Sequence, residues 1–169
     1  MNAKKTFSSK IDYLGLHAEF TPVIAQWHQN EWHNISPDLS TESRISLYNS
    51  YENKPSIPCC FIAIVDNQPA GSASLVTCDM HDHPHLSPWL ASVYVHEKYR
   101  GHGIASQLIN RCLEQARQLN TQTLYLFTPH QTRFYLKRGW KIIESCIYEG
   151  EHVDIMSYDL TELAPKNYE

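Results

Sequence analysis

The sequence lacks any apolar run long enough to cross a membrane. No stretch of it approaches the roughly 20 consecutive apolar residues that a spanning helix needs. The first residues, MNAKKTFSSK, are basic, but IDYLGLHAEF follows, with charged residues where a signal peptide needs an uninterrupted apolar segment. We therefore expect a cytoplasmic protein with no membrane partner.

The sequence also has fewer basic than acidic residues. The formal net charge is −4, with 14 Lys and Arg against 18 Asp and Glu. A general basic field for nucleic acid is thereby excluded, so we expect no nucleic-acid partner. An anionic ligand must instead be bound locally, by a small group of residues.

The cysteines show no sign of a disulfide framework or a zinc site. There are five, an odd number, and none of them forms a C-x-x-C pair. Cys59 and Cys60 are adjacent, which is not a usual chelate spacing. We expect reduced thiols and no metal.

The composition that remains is typical of one folded domain. Apolar residues make up 42 % of the 169 positions, enough for one hydrophobic core. The sequence shows no repeat, low-complexity tract or long linker. We predict a single domain over residues 1–169, with residues 1–10 as a flexible N-terminal extension.

Hydrophobic periodicity predicts a mixed α/β (α+β) fold. Apolar residues recur at three- and four-residue steps from Ile104 to Leu119, which predicts an amphipathic helix. Strands are predicted on either side of it, and this strand–helix–strand order favours a parallel pair. The other predicted elements are a strand in 11–20, helices in 21–34 and 40–53, two strands in 57–80, a short helix ending at Gly139 and a closing hairpin in 140–160.

The clearest functional signal is the stretch YRGHGIASQLI, residues 99–109, where a glycine-rich turn opens the amphipathic helix. Such a turn presents free backbone N–H groups at the positive end of the helix dipole, and so predicts an anion site. A mononucleotide P-loop would need Lys after the second glycine, and Ile104 stands there instead. A dinucleotide turn would need a third glycine at Ser106. Both alternatives are therefore disfavoured.

The remaining pattern, R-x-x-G-x-A over Arg100–Ala105, resembles the GNAT superfamily of acetyl-CoA-dependent N-acetyltransferases. Phe134 and Tyr135, followed by Gly139 and an aromatic residue, match a second segment of that family. The resemblance covers roughly residues 11–160. It implies a twisted, mostly antiparallel sheet of six to seven strands, with a splayed parallel pair in the middle and about four flanking helices.

The resemblance also implies a site and a reaction. The turn residues Arg100, Gly101, His102, Gly103, Ile104, Ala105 and Ser106 would hold the pyrophosphate of the cosubstrate acetyl-CoA. Val93, Tyr94 and Val95 would bind the pantetheine arm and, with Ser92, offer an oxyanion donor. Tyr135 would protonate the leaving thiolate, and the acetyl group would pass directly to a primary amine of a small molecule or a peptide N-terminus. We expect a monomer or homodimer.

The base for the amine is not identified by this resemblance. Many GNAT relatives carry a glutamate on the strand before the turn, whereas PWLASVYV, residues 88–95, has no acid. This departure gives weight to an alternative, a non-catalytic acyl-CoA-binding regulatory domain of the same fold.

Three residues are candidates for the acceptor side: Trp27 and Glu31 on the first predicted helix, and His83. His83 lies in CDMHDHPHLSPW, where His81, His83 and His85 alternate. On a strand these three would share a face and chelate a metal, or one of the histidines or of the neighbouring aspartates, Asp79 and Asp82, would be catalytic. Pro84 interrupts regular pairing, which favours a solvated loop at the rim of the substrate site.

Overall fold

The computed structural model of the chain describes residues 7–161, and its centre is one seven-stranded sheet. In chain order the strands are β1 Ser9–Tyr13, β2 Cys59–Val65, β3 Gln68–Val76, β4 Trp89–Val95, β5 Thr123–Thr128, β6 Lys141–Tyr148 and β7 Glu151–Asp159. They lie side by side in the order β1-β2-β3-β4-β5-β7-β6. All neighbours are antiparallel except β4 and β5, which are parallel. The mixed sheet that the sequence predicts is confirmed.

Four α-helices accompany the sheet: α1 Thr21–Trp32, α2 Thr41–Asn49, α3 Ile104–Gln118 and α4 Thr132–Leu136. None of them, over residues 7–161, has the length and apolar character of a membrane-spanning helix. The predicted stripe of α3 is buried, with Leu108, Ile109 and Cys112 at 0–2 % exposure, and it packs against β3 and β4. Burying this stripe fixes the start of α3 at the end of β4.

The N-terminal segment differs from the sequence prediction. Ser9 and Lys10 belong to β1, which pairs with β2, although we expected them in a flexible extension. Residues 1–6 of that extension lie outside the described part of the chain. Residues 14–20, predicted as strand, form 3₁₀ turns, because the segment continues directly into α1 and Leu14 is buried against it.

Local signals set several other boundaries. The Ser40 hydroxyl accepts a hydrogen bond from the Ser43 amide and caps α2, as predicted. Asp66 and Asn67 both have positive φ, and they form the tight turn between β2 and β3. Gly139, with a φ of 89°, ends the α4 segment.

Two irregularities open the centre of the sheet. Ser72 pairs with Tyr94 and Ser74 with Ala91, so one β3 residue faces two β4 residues, Ser92 and Val93, in a β-bulge. Ser92 has a φ of +52°, a strained conformation for serine. On the other side, β4 pairs with β5 at a single register position, Trp89 opposite Tyr125. Beyond Trp89 the β5-facing edge of β4 is therefore free of strand pairing.

Candidate active site

A cleft of about 1130 Å³ lies where β4 and β5 separate. One end reaches the start of α3, the middle runs along β4, and the other end is closed by α1, α2 and the segment after β3. β4 and β5 pair only at Trp89 and Tyr125; after this point β4 leads into the glycine turn and β5 into α4. A single cavity thus joins the predicted anion site to the predicted acceptor site.

The glycine turn has the backbone geometry of an anion site. Gly101 and Gly103 have φ values of 77° and 78°, and a Cβ at either position would meet no atom within 4 Å. The first α-helical hydrogen bond runs from the Gln107 amide to the Gly103 carbonyl, 3.1 Å away. The amides of residues 104–106 precede it and have no intrahelical acceptor, so they remain available to an anion.

The side chains of the turn support its shape. Arg100 Nε donates to the Val95 carbonyl, 2.9 Å away, so the side chain folds back on β4. His102 Nδ1 lies 2.8 Å from the Arg100 carbonyl oxygen, and its ring packs on Phe7 with 4.6 Å between ring centres. His102 is not among the residues that line the cleft. The predicted cofactor role of His102 can therefore rest only on its backbone.

Arg138 is a cation at this end that the sequence analysis missed. Its guanidinium donates to the Ser106 hydroxyl at 2.9 Å and to the Phe134 carbonyl at 2.9 Å, and it stacks on the Phe134 ring at 3.5 Å. These contacts hold the positive charge beside the first turn of α3. In the sequence Arg138 stands in LKRGW, where nothing distinguishes it from its neighbour Lys137.

Val93, Tyr94 and Val95 line the cleft, and so does Tyr135. Tyr135 is 8 % exposed, and its ring packs edge-on against Phe134 and Trp140. Burial raises the pKa of Tyr135 above its ordinary value, so its phenol stays protonated at neutral pH and can donate a hydrogen bond.

The predicted acceptor residues separate into two groups. Glu31 lines the cleft together with Trp32. Trp27 does not, because its indole packs against Tyr94 and His96, with ring centres 5.4 and 5.0 Å apart. The structure thus places Trp32, rather than Trp27, in the wall of the acceptor end.

A buried polar network lies beneath this end. His28 is 0 % exposed, with Nδ1 2.6 Å from the Tyr48 hydroxyl and Nε2 2.7 Å from the Ser72 hydroxyl. Burial lowers the pKa of His28 to about 3, so the ring is neutral at physiological pH. The network connects α1, α2 and β3 beside the bulge at Ser92. From the sequence, His28 was indistinguishable from an exposed histidine.

Residues 77–88, which hold the three alternating histidines, form a loop, the arrangement that the sequence favoured. His81 lines the cleft, and its Nδ1 lies 2.9 Å from the Tyr148 hydroxyl. His83 lies outside the cleft lining, with Nδ1 2.8 Å from an Asp82 carboxylate oxygen and Nε2 3.2 Å from one of Glu144. The predicted substrate role of His83 therefore finds no support in the cleft lining; its ring instead lies near that of His85, with 5.7 Å between ring centres.

A metal-binding role for the three histidines together finds no support either. Within residues 7–161, the metal-ligating side chains that do converge are those of His83, Glu144 and Cys146, whose ligand atoms lie within 4.8 Å of one another. Both nitrogens of His83 already face carboxylates, and the hydrogen bonds to Asp82 and then to Glu144 raise the pKa of the ring. The group lies outside the cleft, so it is separate from the candidate active site.

Comparison with known proteins agrees with this geometry. The family model for the acetyltransferase (GNAT) family matches residues 21–140. The chain therefore belongs to the acetyltransferase (GNAT) family, as its turn and its FY-x-x-x-GW segment indicated. No curated protein matches the chain.

Solved structures share the fold at low sequence identity. The yncA protein of Salmonella typhimurium, solved with its cofactor acetyl-CoA, has 15 % identity and a TM-score of 0.70 over 95 % of this chain and 99 % of its own. An aminoglycoside 6'-N-acetyltransferase complexed with coenzyme A has 13 % identity and a TM-score of 0.71, covering 91 % and 98 %. Ard1 from Thermoplasma volcanium has 17 % identity and a TM-score of 0.66, covering 91 % and 99 %. At these identities the likeness shows the fold.

Proposed function

We propose that this protein transfers the acetyl group of acetyl-CoA directly to a primary amine, with both substrates bound at once. The observation that carries the proposal is the continuous cleft, which joins the free amides of α3 to a splayed strand pair and then to an acceptor end with an acidic and aromatic wall. Family membership and the acetyl-CoA and coenzyme A complexes of the two structural relatives support it.

The diphosphate of acetyl-CoA would bind at the glycine turn. The backbone of residues 101–106 supplies the N–H groups there, and the α3 dipole adds partial positive charge. Gly103 leaves space for a phosphate oxygen where another residue would place a Cβ. Arg138, held on Ser106 and Phe134, contributes the nearest fixed cation at this end of the cleft.

The pantetheine arm would pair with the free edge of β4, along Val93, Tyr94 and Val95. An extended, amide-containing chain can form strand-like hydrogen bonds with such an edge. The bulge at Ser92 and Val93 turns backbone groups out of the regular ladder. An N–H released in this way can stabilise the oxyanion that forms when an amine attacks the thioester.

Tyr135 would donate the proton that the leaving thiolate takes up. Its phenol lies in the cleft wall, and its raised pKa keeps it protonated over the neutral range. Since this phenol is a weaker acid than a thiol, the donation is efficient only if it is coupled to loss of a proton from the attacking nitrogen.

Direct transfer can be separated from a route through an acetyl-cysteine. Cys78 lines the cleft and is exposed, so it is the residue that would carry a covalent acetyl group. Direct transfer predicts that Cys78→Ser keeps its turnover and that intact-mass spectrometry finds no acetylated protein after incubation with acetyl-CoA alone. A mass increase of one acetyl group that is lost in Cys78→Ser would contradict direct transfer.

The experiment that tests the proposal is thiol release from acetyl-CoA in the presence of a panel of small amines and short peptides. We expect release that depends on an amine, and a decrease of about 100-fold or more in kcat for Tyr135→Phe with little change in coenzyme A affinity. Phe134→Leu, which alters the neighbouring ring, is the packing control. Coenzyme A binding with no turnover on a broad panel would instead support the non-catalytic alternative. The cytoplasmic location and the monomeric or homodimeric state stay predictions from the sequence.

A further inference from the structure

The strand that faces the thioester offers no base. β4 reads WLASVYV, and none of its side chains can take a proton from an ammonium group at neutral pH. The base must come from another part of the cleft wall. Among the described residues that line the cleft, two carry a carboxylate, Glu31 and Asp79.

The two carboxylates differ in their surroundings. Glu31 is exposed on the last turn of α1, where water screens its charge. Asp79 is half-buried and lies three residues after the end of β3. Val76, at the end of β3, is paired with Trp89 at the start of β4, so Asp79 lies beside the beginning of the strand that would carry the acetyl arm.

The Asp79 carboxyl has no partner of its own. Within residues 7–161, no hydrogen-bond donor or cation is positioned on it, whereas Asp12, Asp82 and Asp154 each accept hydrogen bonds from neighbouring side chains. Buried and partly buried carboxylates are normally paired, because an unpaired one loses its hydration without compensation. An unpaired carboxylate that faces a cavity is therefore a position where a ligand can supply the missing cation.

The groups around Asp79 favour an organic cation. Tyr51, just after α2, and Tyr148, at the end of β6, line the same part of the cleft. Burial raises the pKa of both phenols, and the nearby Asp79 charge adds to the effect. Both tyrosines therefore stay neutral, and their rings can face an ammonium group. His81, two residues further on, lies against the Tyr148 hydroxyl, and no cationic side chain within residues 7–161 competes for the carboxylate.

We infer that Asp79 binds the ammonium group of a cationic acceptor and is the base that removes its proton. This inference rests on the proposed acetyltransferase function. The ammonium gives one proton to the Asp79 carboxylate, and the resulting amine attacks the thioester carbon and forms the C–N bond. As the C–S bond breaks, the nitrogen loses a second proton and the departing sulfur takes one up. The proton on Asp79 returns to solvent.

The pKa of Asp79 suits this role. Burial raises it to about 7, so the carboxylate forms near neutral pH and is a far better proton acceptor than an ordinary aspartate. A carboxylate of this kind is matched to alkylamines, which are protonated at neutral pH.

Asp79→Asn tests the inference with the full-length enzyme and acetyl-CoA. For an alkylamine acceptor we expect kcat/KM at pH 7.5 to fall by about 100-fold or more, the range typical of a lost general base. The rise of wild-type kcat/KM with an apparent pKa near 7 should disappear in the variant. An aromatic amine, which is already unprotonated at this pH, should lose less than about tenfold. If Asp79 had only a structural role, the substitution would lower kcat/KM equally for the alkylamine and for the aromatic amine.

Two controls distinguish a failure of the Asp79 inference from a failure of the proposed acetyltransferase function. Asp82→Asn removes a carboxylate three residues away that lies outside the cleft lining, and it should leave kcat/KM unchanged. Calorimetry should give the same coenzyme A affinity for Asp79→Asn as for the wild type, which shows that the variant is folded. If the wild type acetylates alkylamines and Asp79→Asn keeps both its rate and its pH profile, the inference is wrong while the proposed function stands. If the wild type acetylates no amine at all, the proposed function itself fails.

Discussion

Replacing Gly103 with alanine tests whether the glycine turn holds the diphosphate. Gly103 has a φ of +78°, and its missing Cβ would point into open space at the start of α3. Alanine in this left-handed conformation costs about 1–2 kcal/mol, because its Cβ approaches the following carbonyl. For a chain of this size, that lowers the melting temperature by roughly 2–8 °C. This part of the effect is expected in any positive-φ glycine of the protein.

The effect on ligand binding is specific to Gly103. The new methyl group would occupy the place of a phosphate oxygen and displace it from one or two backbone N–H groups. Each hydrogen bond to a charged group is worth about 1.5–3 kcal/mol, so the loss of even one should lower coenzyme A affinity by at least about tenfold. Calorimetric titration with coenzyme A, together with a thermal melt of each variant, measures both consequences.

Gly150→Ala is the matched control. Gly150 has a φ of +80° with no atom near its would-be Cβ, yet it lies in the β6–β7 turn and does not line the cleft. The melting temperature of Gly150→Ala should fall by as much as that of Gly103→Ala, while its coenzyme A affinity should equal that of the wild type. Equal destabilisation of the two variants, with coenzyme A binding intact in both, would refute the assignment of the diphosphate to this turn.

Three further predictions concern individual side chains. Arg138→Gln should weaken coenzyme A binding by about 3–10-fold, since an exposed cation contributes modestly, whereas the neighbouring Lys137→Gln, which does not line the cleft, should have no effect in the same titration. Asp79 keeps its proton to a higher pH in the folded state than in the unfolded state, so its contribution to stability is full below pH 4 and is lost as pH rises through about 7. Denaturant unfolding should therefore show Asp79→Asn gaining roughly 1–2 kcal/mol over the wild type between pH 4 and pH 8. The full pKa shift, at 1.36 kcal/mol per pH unit, would give a larger gain, but the Asp79 side chain is partly hydrated. If Asp79→Asn shows no gain in stability over this pH range, the pKa of Asp79 is not raised. His28 behaves in the opposite sense: its pKa is lowered to about 3, so its contribution is full above pH 6.5 and declines as pH falls. His28→Gln should be destabilised at pH 7.5 relative to the wild type, and this deficit should shrink by about 2 kcal/mol at pH 5; a deficit independent of pH would exclude a neutral buried imidazole.

The structural features that were predicted correctly depend on short stretches of neighbouring residues. The apolar residues from Ile104 to Leu119 recur with helical periodicity, which predicts α3. Gly101 and Gly103 before them predict a turn, because glycine readily adopts positive φ. Strand–helix–strand order then requires a parallel pair in the middle of the sheet. For these reasons the start of α3 and the course of β4 could be predicted without coordinates.

The features that it missed depend on contacts between distant segments. His28 meets Tyr48 and Ser72 only after α1, α2 and β3 are assembled, so no local pattern marks it as buried. Trp27 and Trp32 are both aromatic residues of α1, and packing alone decides which of them lines the cleft. The loop at the three histidines was predicted correctly from Pro84, but which of its side chains line the cleft is decided by packing alone.

The central claim is that backbone amides at the start of α3 bind the diphosphate of coenzyme A. It is tested most directly by calorimetric titration of the wild-type protein with coenzyme A and with pantetheine, which keeps the thiol and the amide arm but has no phosphate. Several charge-assisted hydrogen bonds separate the two ligands, so coenzyme A should bind at least about 100-fold more tightly. No binding of coenzyme A, or equal affinity for the two ligands, would contradict the claim.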